Sequence, residues 1–337
     1  MKNKMQAILT TTVGGPEVLE MTDVTLPWPG NENAVLVRLK AAALNPADSY
    51  FRSFGPYVET ASPFILGHDG AGIVEEVGAA VSRFKPGDAV CFCNGGLGDT
   101  PGTYAEFAVV PEGQLIAKPE GISFEQAAAL PLVLITCWES LYQRTNVQAS
   151  EHVLIHAGAG GTGHMAVQLA AVRGAKVAAT VSSEEKANFV KALGAEKPIF
   201  YRDEDFVAVS KAWTNEHGLD VAFDNVGPEA MQKTYTAMAP YGRIVTLIGT
   251  PADDADETAY VNNLTIHNVM MLTPMVLKDR QRLEAQAAMV EEGMKLLSAG
   301  KIQVHISETF DLKDICQAHE CLDAGGNMGK IVISINL

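Results

Sequence analysis

The chain has 337 residues, of which 47% are hydrophobic and 19% are charged, and its formal net charge is −15. This length indicates about two domains, and the apolar fraction is large enough for sizeable buried cores. No basic block occurs in the sequence, which excludes nucleic-acid binding through phosphate neutralisation; the acidic excess favours solubility.

The cysteines and the apolar segments indicate the compartment. The five cysteines are an odd number at irregular spacings, and no Cys-x-x-Cys pair occurs, which favours free thiols in a reducing environment. The N-terminal segment does not resemble a signal peptide, and no run of about 18 apolar residues is present to span a membrane. We therefore expect a cytoplasmic protein that does not insert into a membrane.

The first third of the chain is predicted to be rich in β-strands. Short strands that alternate with Gly and Pro turns favour a small barrel. Near Ser123 the pattern becomes helical, with Ser123 as a candidate N-cap, and a second helix is predicted from Ile135 to Arg144. The predicted strands cover 5–11, 18–24, 34–43, 71–77, 88–92 and 104–110.

A strand, a glycine-rich turn, a helix and a second strand follow within about 30 residues, as in a dinucleotide-binding βαβ unit. We expect Gly158 to permit a tight turn, Gly160 to let the backbone approach a pyrophosphate, and Gly163 to let the helix pack closely on the strand. The alternative is a glycine-rich turn that only packs. The residues predicted to cradle the pyrophosphate at the helix N-terminus are Gly158, Ala159, Gly160, Gly161, Thr162 and Gly163.

Strands and helices alternate after this turn, which predicts a doubly wound parallel sheet. The predicted strands are 176–181, 198–201, 221–226, 242–248 and 263–272, and the helices are 184–193, 206–217 and 228–238. The last part of the chain differs, with helices at 279–299 and 312–324 and strands at 304–310 and 330–335. We expect this closing segment to return to the first domain.

The end of the second strand favours NADPH over NADH. Sites for NAD place an Asp or Glu there to bind the ribose 2′-hydroxyl, whereas this chain has Ser182 and Ser183. Lys186 is available as a counter-charge for a 2′-phosphate. Alternatively, Ser182 only caps a helix, with Glu185 completing a capping box, and Lys186 is a solvated surface residue.

Motifs along nearly the whole chain resemble the medium-chain dehydrogenase/reductase superfamily, in particular its zinc-independent quinone oxidoreductase branch, which includes zeta-crystallin-like proteins. Besides the glycine turn, the motifs are AAALNPADSYFRS, LGHDGAGIVEEVG, FKPGDAV, GTYAEFAVVP, AAALPLVLITCWESL, FDNVG, GRIVTLIG and GKIVI. The resemblance implies a GroES-like β-barrel substrate domain (1–131), a Rossmann NADP-binding domain (132–272) and a C-terminal segment (273–337) that returns to the substrate domain. It also implies a homodimer formed through a sheet edge of the cofactor domain.

The positions that bind catalytic zinc in related dehydrogenases are changed here. By the resemblance, the three ligand positions fall at Asn45, His68 and Leu132, so one possible ligand remains where a catalytic zinc needs three. The segment of the structural zinc lobe retains only Cys91 and Cys93. We therefore predict no metal, with His68 in a pocket wall or hydrogen-bonded core and both cysteines as packing residues.

A nicotinamide without a metal suits acceptors that are already electrophilic, such as quinones and α,β-unsaturated carbonyls, whose developing oxyanion needs hydrogen-bond donors and a proton. The resemblance implies that Asn45, Asp48 and Tyr50 line the active-site cleft, and that Tyr57 lies in a loop whose tyrosine donates a proton in some related enoyl reductases. Alternatively, both tyrosines pack, Asp48 is a turn residue after Pro46, and water supplies the proton.

Further cofactor contacts are also implied by the resemblance. Thr136 is expected near the nicotinamide, and Lys186 and Tyr201 beside the 2′-phosphate. Residues at the carboxyl ends of strands are expected on the cofactor side of the sheet, with ordinary packing as the alternative. The residues expected at these strand ends are Asn225, Ile248, Gly249 and Met271. Lys330, from the C-terminal motif, is one further expected cofactor contact.

The sequence thus predicts an NADPH-dependent reductase of small quinones or enones. Two alternatives stay open: a zinc-dependent alcohol dehydrogenase, which would contain metal and oxidise alcohols, and a non-enzymatic, crystallin-like protein that binds NADPH without turnover.

Overall fold

The computed structural model describes residues 4–28, 32–56, 63–250 and 257–336. The chain divides into two compact units. The first contains Met1–Leu132, Leu272–Gly300 and Val304–Leu337, and the second contains Val133–Met271 and Lys301–Gln303. In the described part of the chain, no helix combines the length and apolar character needed to cross a membrane.

The N-terminal part of the first unit is mainly β-structure. In chain order it contains β1 (Lys4–Thr10), β2 (Leu19–Thr25), β3 (Ala34–Ala43), α1 (Pro46–Phe54), β4 (Asp69–Val77), β5 (Ala89–Cys93), β6 (Phe107–Pro111), β7 (Ile116–Ala117) and α2 (Phe124–Ala129). The predicted cap of α2 is confirmed, because the Ser123 hydroxyl accepts a hydrogen bond from Gln126 N and the Gln126 side chain accepts one from Ser123 N.

The second unit alternates strands and helices. It contains most of α3 (Pro131–Trp138), then β8 (His152–Ile155), α4 (Gly163–Val172), β9 (Lys176–Val181), α5 (Glu184–Ala192), β10 (Lys197–Phe200), α6 (Phe206–Trp213), β11 (Leu219–Asp224), α7 (Pro228–Tyr235), β12 (Met238–Thr246), α8 (Glu257–Val261) and β13 (Thr265–Asn268). Its six parallel strands have the order β10-β9-β8-β11-β12-β13. This is the order of a doubly wound dinucleotide-binding sheet, so the predicted fold class is confirmed.

The C-terminal elements complete the sheet of the first unit. They are α9 (Thr273–Val276), α10 (Arg280–Ser298), β14 (Ile306–Asp311), α11 (Ile315–Ala324) and β15 (Lys330–Ser334). Strand β15 pairs with β3, with Val332 opposite Ala43, and the resulting seven-stranded mixed sheet runs β14-β15-β3-β4-β5-β7 with β6 also paired to β3. The predicted return of the chain to its first lobe follows from this pairing.

Several predicted elements differ from the structure. Helix α1 was not predicted: Asn45 and Asp48 form a capping box around Pro46, which starts a helix where a turn was an alternative. The predicted helix to Arg144 is α-helical only to Trp138 and continues as a π-helical turn. Helix α6 ends before His217, and Asn215 and Glu216 after its end have positive φ. The strand predicted at 263–272 covers only Thr265–Asn268 (β13), and Asn263 before its start has positive φ.

Candidate functional site

The glycine turn follows β8 directly, and close packing shapes it. The left-handed residue of this turn is Ala157 (φ 46°), whereas Gly158 does not have a positive φ, and the role of Gly158 in permitting the turn stays a prediction. A Cβ at Gly158 would lie 2.7 Å from Ala179 Cβ on β9, which explains the glycine by packing. A Cβ at Gly163 would lie 2.1 Å from Ala157 O, in agreement with the predicted close contact between helix and strand. The Thr180 hydroxyl accepts a hydrogen bond from Ala157 N and fixes the turn.

Gly160 differs from these glycines because protein packing does not require it. The nearest atom to an added Cβ is Ala157 O at 3.4 Å, an ordinary contact. The loop leads into α4, with Thr162 at the N-cap, Gly161 beside it and Ala159 buried. A helix N-terminus offers N–H donors and a partial positive charge. These groups could hold the pyrophosphate of a dinucleotide, and the predicted approach of a pyrophosphate to Gly160 stays a prediction.

The end of β9 lies beside the residue that follows β10. In the parallel pair, Phe200 is opposite Val181, and Tyr201 N donates to Val181 O. The structure thus brings Tyr201 next to Ser182. The cap of α5 is Ser183, whose hydroxyl accepts from Lys186 N at 3.3 Å.

Capping by Ser182, the alternative considered from the sequence, is therefore wrong. Ser182, Lys186 and Tyr201 thus form a corner at the end of β9. The Lys186 side chain is half-buried there, and Tyr201 is 50% exposed. Arg202, which the sequence analysis missed, is exposed there as well, with its guanidinium carbon 5.9 Å from the centre of the Tyr201 ring. It was detectable as a second cation directly after Tyr201.

The carboxyl ends of β11 and β12 bring three predicted residues together. The Thr246 hydroxyl accepts from the N–H groups of Ile248 and Gly249 and donates to Asp224, which precedes Asn225. Ile248 is 60% exposed and Gly249 has φ 116°. Two other predicted cofactor contacts of the second unit, Thr136 and Met271, are buried.

A buried network that sequence reasoning missed supports these strand ends. Asp224 accepts hydrogen bonds from Val226 N and Gly227 N, each at 3.1 Å. His156, at the end of β8, has Nε2 2.9 Å from the Thr234 hydroxyl. Burial lowers the pKa of His156 to about 4, although the nearby Asp224 opposes this shift. The imidazole of His156 is therefore neutral in the folded state. The sequence signal for this network was limited to polar residues at the ends of apolar strands.

Asn45 belongs to a fully buried polar cluster in the first unit. Its Nδ2 donates to Asp69 Oδ2 (2.9 Å), and Lys330 Nζ donates to Leu44 O (2.8 Å) and to Asn45 Oδ1. Lys330 Nζ also lies 3.8 Å from Asp69 Oδ2. Burial raises the pKa of Asp69 and lowers the pKa of Lys330. Lys330 was predicted to bind the cofactor, and the contacts that the structure gives its ammonium are to Leu44, Asn45 and Asp69 of this cluster.

Asp48 is also fully buried, and backbone groups bind it. Its Oδ2 accepts from Asn45 N (2.8 Å) and its Oδ1 accepts from Gly67 N (3.2 Å). His68 donates from Nδ1 to Gly95 O (2.6 Å) and places Nε2 3.7 Å from Asp48, so it is a hydrogen-bonded core histidine. Among the described residues, no three His, Cys, Asp or Glu side chains are arranged to hold a metal ion. A substrate-contacting role for Asn45 and Asp48 stays a prediction; the contacts seen position the start of α1.

Tyr50 is the exposed member of the predicted catalytic set. It is 45% exposed on α1, and its ring contacts Phe54 at a centroid distance of 5.1 Å. Tyr57 lies outside the described residues. Cys91 and Cys93 are buried on β5, and all five cysteines are free thiols.

Helix α1 is held against α11 by an ion-pair cluster that the sequence did not reveal. Arg52, itself buried, donates to Asp323 at 2.7 Å and to His319 Nδ1 at 2.9 Å. The Ser49 hydroxyl donates to the same carboxylate at 2.6 Å. Burial lowers the pKa of His319 to about 4, so the imidazole that accepts from Arg52 is neutral. This cluster fixes the orientation of the helix that carries Tyr50.

A sheet of doubly wound order, with a glycine turn before a helix, is an arrangement that can hold a dinucleotide. The comparisons with known proteins support an oxidoreductase that uses a nicotinamide cofactor. Family models agree: residues 31–120 match the alcohol dehydrogenase GroES-like domain, and residues 193–333 match the zinc-binding dehydrogenase model. The chain belongs to the medium-chain dehydrogenase/reductase superfamily and, within it, to the quinone oxidoreductase branch.

Individual relatives cover almost the full chain. A quinone oxidoreductase of Pseudomonas aeruginosa is 35% identical over 324 residues, covering 95% of this chain and 96% of the relative. A 2-haloacrylate reductase of Burkholderia sp is 32% identical over 330 residues, covering 95% and 96%. A mycobacterial protein solved in complex with NADPH has a TM-score of 0.86 and 28% identity, covering 98% of this chain and 100% of that structure.

Proposed function

We propose that this protein is an NADPH-dependent oxidoreductase that reduces a quinone or an α,β-unsaturated carbonyl without a metal. The observation that carries the choice of cofactor is the corner formed by Ser182, Lys186 and Tyr201. This corner has no carboxylate at the end of β9 to bind a free 2′-hydroxyl, and Arg202 adds a second positive charge. The relative in complex with NADPH supports the same choice.

The polar cluster around Asn45 supports a metal-free reaction. A neutral amide replaces a thiolate at this position, and its oxygen already accepts from the Lys330 ammonium. Because a cation bound there would be repelled by this buried ammonium, the residues fit poorly around zinc. An acceptor that needs no Lewis acid suits such a site. The names of two relatives, a quinone oxidoreductase and a 2-haloacrylate reductase, support this choice, because a haloacrylate is an activated alkene.

Each part of the chain has a chemical task in this proposal. When bound, the nicotinamide supplies hydride. The glycine turn holds the pyrophosphate, and Asn225, Ile248 and Gly249 orient the nicotinamide end. Tyr50, or the predicted Tyr57, donates a hydrogen bond to the oxygen on which negative charge develops. Residues 132–272 would then form the cofactor domain, and 1–131 with 273–337 the substrate domain.

We further propose a cytoplasmic homodimer formed along the edge strand β13. The five free cysteines support a reducing compartment. Exposed apolar side chains next to that edge support a self-contact: Tyr241 is 74% exposed, Tyr260 88% and Val261 69%. Sedimentation analysis of Tyr260→Ser is expected to show more monomer than the wild-type protein.

A screen of acceptors tests the proposed function. The absorbance of NADPH would be followed with a panel of quinones, enones and alcohols (the last with NADP⁺), with and without a strong chelator. We expect quinone or enone turnover that the chelator does not change. Alcohol oxidation lost with the chelator would instead establish a zinc enzyme, and tight NADPH binding without any turnover would establish a binding protein.

A further inference from the structure

The His164 side chain is buried, and it has no role in the reaction proposed above. It is the second residue of α4, and its ring Nδ1 lies 2.7 Å from Gly161 O and 3.1 Å from Gly160 O. Carbonyl oxygens only accept hydrogen bonds, so Nδ1 must carry the proton and donate it to this pair. The imidazole therefore anchors the Gly161 carbonyl and shares the Gly160 carbonyl with the backbone N–H of His164, which donates to it at 2.9 Å.

The anchored carbonyls determine where the neighbouring N–H groups point. In a trans peptide, the C=O of one residue and the N–H of the next lie in one plane and point in opposite directions. With the carbonyls of Gly160 and Gly161 turned toward His164, the N–H groups of Gly161 and Thr162 point away from it. Neither N–H has a hydrogen-bond partner among the described residues. Such N–H groups at a helix N-terminus bind anions.

The same ring also contacts the helix that carries Lys186. It stacks on Phe189 of α5, with the ring centres 6.4 Å apart and the planes 26° apart. Phe189 lies three residues after Lys186, on the adjacent turn of this helix. One imidazole thus touches both the predicted pyrophosphate loop and the helix of the predicted 2′-phosphate site.

We propose that His164 is a positioning residue that holds the glycine turn with its N–H donors facing the pyrophosphate. This inference rests on the proposed nicotinamide-dinucleotide function and deepens it, because it assigns pyrophosphate affinity to a side chain that does not touch the ligand. The Nδ1–H donor is the essential group, and the stack on Phe189 holds the ring in place.

Three variants separate these contributions. His164→Phe keeps an aromatic ring and loses the donor. His164→Asn loses the ring and keeps an N–H near the position of Nδ1. Gln168→Leu is the matched control, because Gln168 is a buried polar residue of the same helix that donates to His164 O and Gln303 O and does not touch the turn carbonyls. Thermal unfolding identifies any variant that is not folded.

Titration calorimetry would compare NADPH, which has a pyrophosphate, with adenosine 2′-monophosphate, which has none. We expect His164→Phe to weaken NADPH binding on the order of tenfold, as for the loss of a hydrogen-bonding partner, with the monophosphate affinity unchanged. His164→Asn should recover most of the lost affinity, and Gln168→Leu should bind both ligands like the wild-type protein.

The outcomes distinguish this inference from the proposed function. Equal weakening of both ligands by His164→Phe, or NADPH binding equal to that of the wild-type protein, would overturn the positioning role. Failure of His164→Asn to recover affinity while Gln168→Leu binds normally would also contradict it. If the wild-type protein itself did not bind NADPH, the proposed function would fail, and this inference with it.

Discussion

Replacement of Lys186 by alanine is expected to change the choice between NADPH and NADH. The Lys186 side chain is half-buried in the first turn of α5, four residues after Ser182, so its ammonium is only partly screened by water. A hydrogen bond to a charged group contributes about 1.5–3 kcal/mol, and the partial exposure of this corner favours the lower half of that range. Removal of the ammonium should therefore raise the Michaelis constant for NADPH about 10–40-fold.

The assay is steady-state reduction of one quinone at varied NADPH and, separately, varied NADH. We expect the Michaelis constant for NADH to change less than about twofold, since NADH has no 2′-phosphate to pair with the ammonium. Lys191→Ala is the matched control, because it removes an exposed lysine from the last turn of the same helix. Equal effects on both cofactors, or equal effects of the two substitutions, would refute the assignment of Lys186 to the 2′-phosphate.

Three further predictions concern stability and the glycine turn. Lys330→Ala should lower the free energy of unfolding in urea by about 3 kcal/mol, because it leaves the buried Asp69 without its cation; an unchanged value would contradict the buried pair. Gly163→Ala should lower the melting temperature because its Cβ would meet Ala157 O, whereas Gly160→Ala should keep the melting temperature and weaken NADPH binding. The pKa of His319, lowered by burial from 6.5 to about 4, makes the folded state bind fewer protons than the unfolded state between these values. The contribution of His319 to stability should then be fully present above pH 6.5 and fall by roughly 3 kcal/mol as the pH drops toward 4, and His319→Gln should remove this part of the decline in urea titrations at stepped pH.

The fold was largely predictable because its signals are local in the sequence. Alternating strands and helices with the Gly158–Gly163 turn are enough to indicate a doubly wound sheet, and the cap at Ser123 depends on residues three positions apart. Element ends were less predictable. The early stop of α6, for example, depends on positive φ at Asn215 and Glu216, which the apolar pattern does not encode.

The site was less predictable where contacts join distant parts of the chain. Lys330 and Asn45 are 285 residues apart, and Arg52 and Asp323 are 271 apart, so no spacing rule connects them. Burial was the other missing quantity. Asp48 has the residue type expected for an active site, yet its oxygens are bound by backbone N–H groups and it is fully buried. Side-chain type alone does not distinguish a capping carboxylate from a catalytic one.

The most direct test of the central claim is isotopic transfer in metal-free protein. NADPH that carries deuterium at the transferable position of its nicotinamide would be mixed with an enone and protein freed of metal by chelator and checked by elemental analysis. The proposed function predicts that the saturated product contains one deuterium at the β-carbon and forms at the rate of untreated protein, apart from an isotope effect. A product without deuterium, or turnover that requires about one equivalent of added zinc, would contradict it.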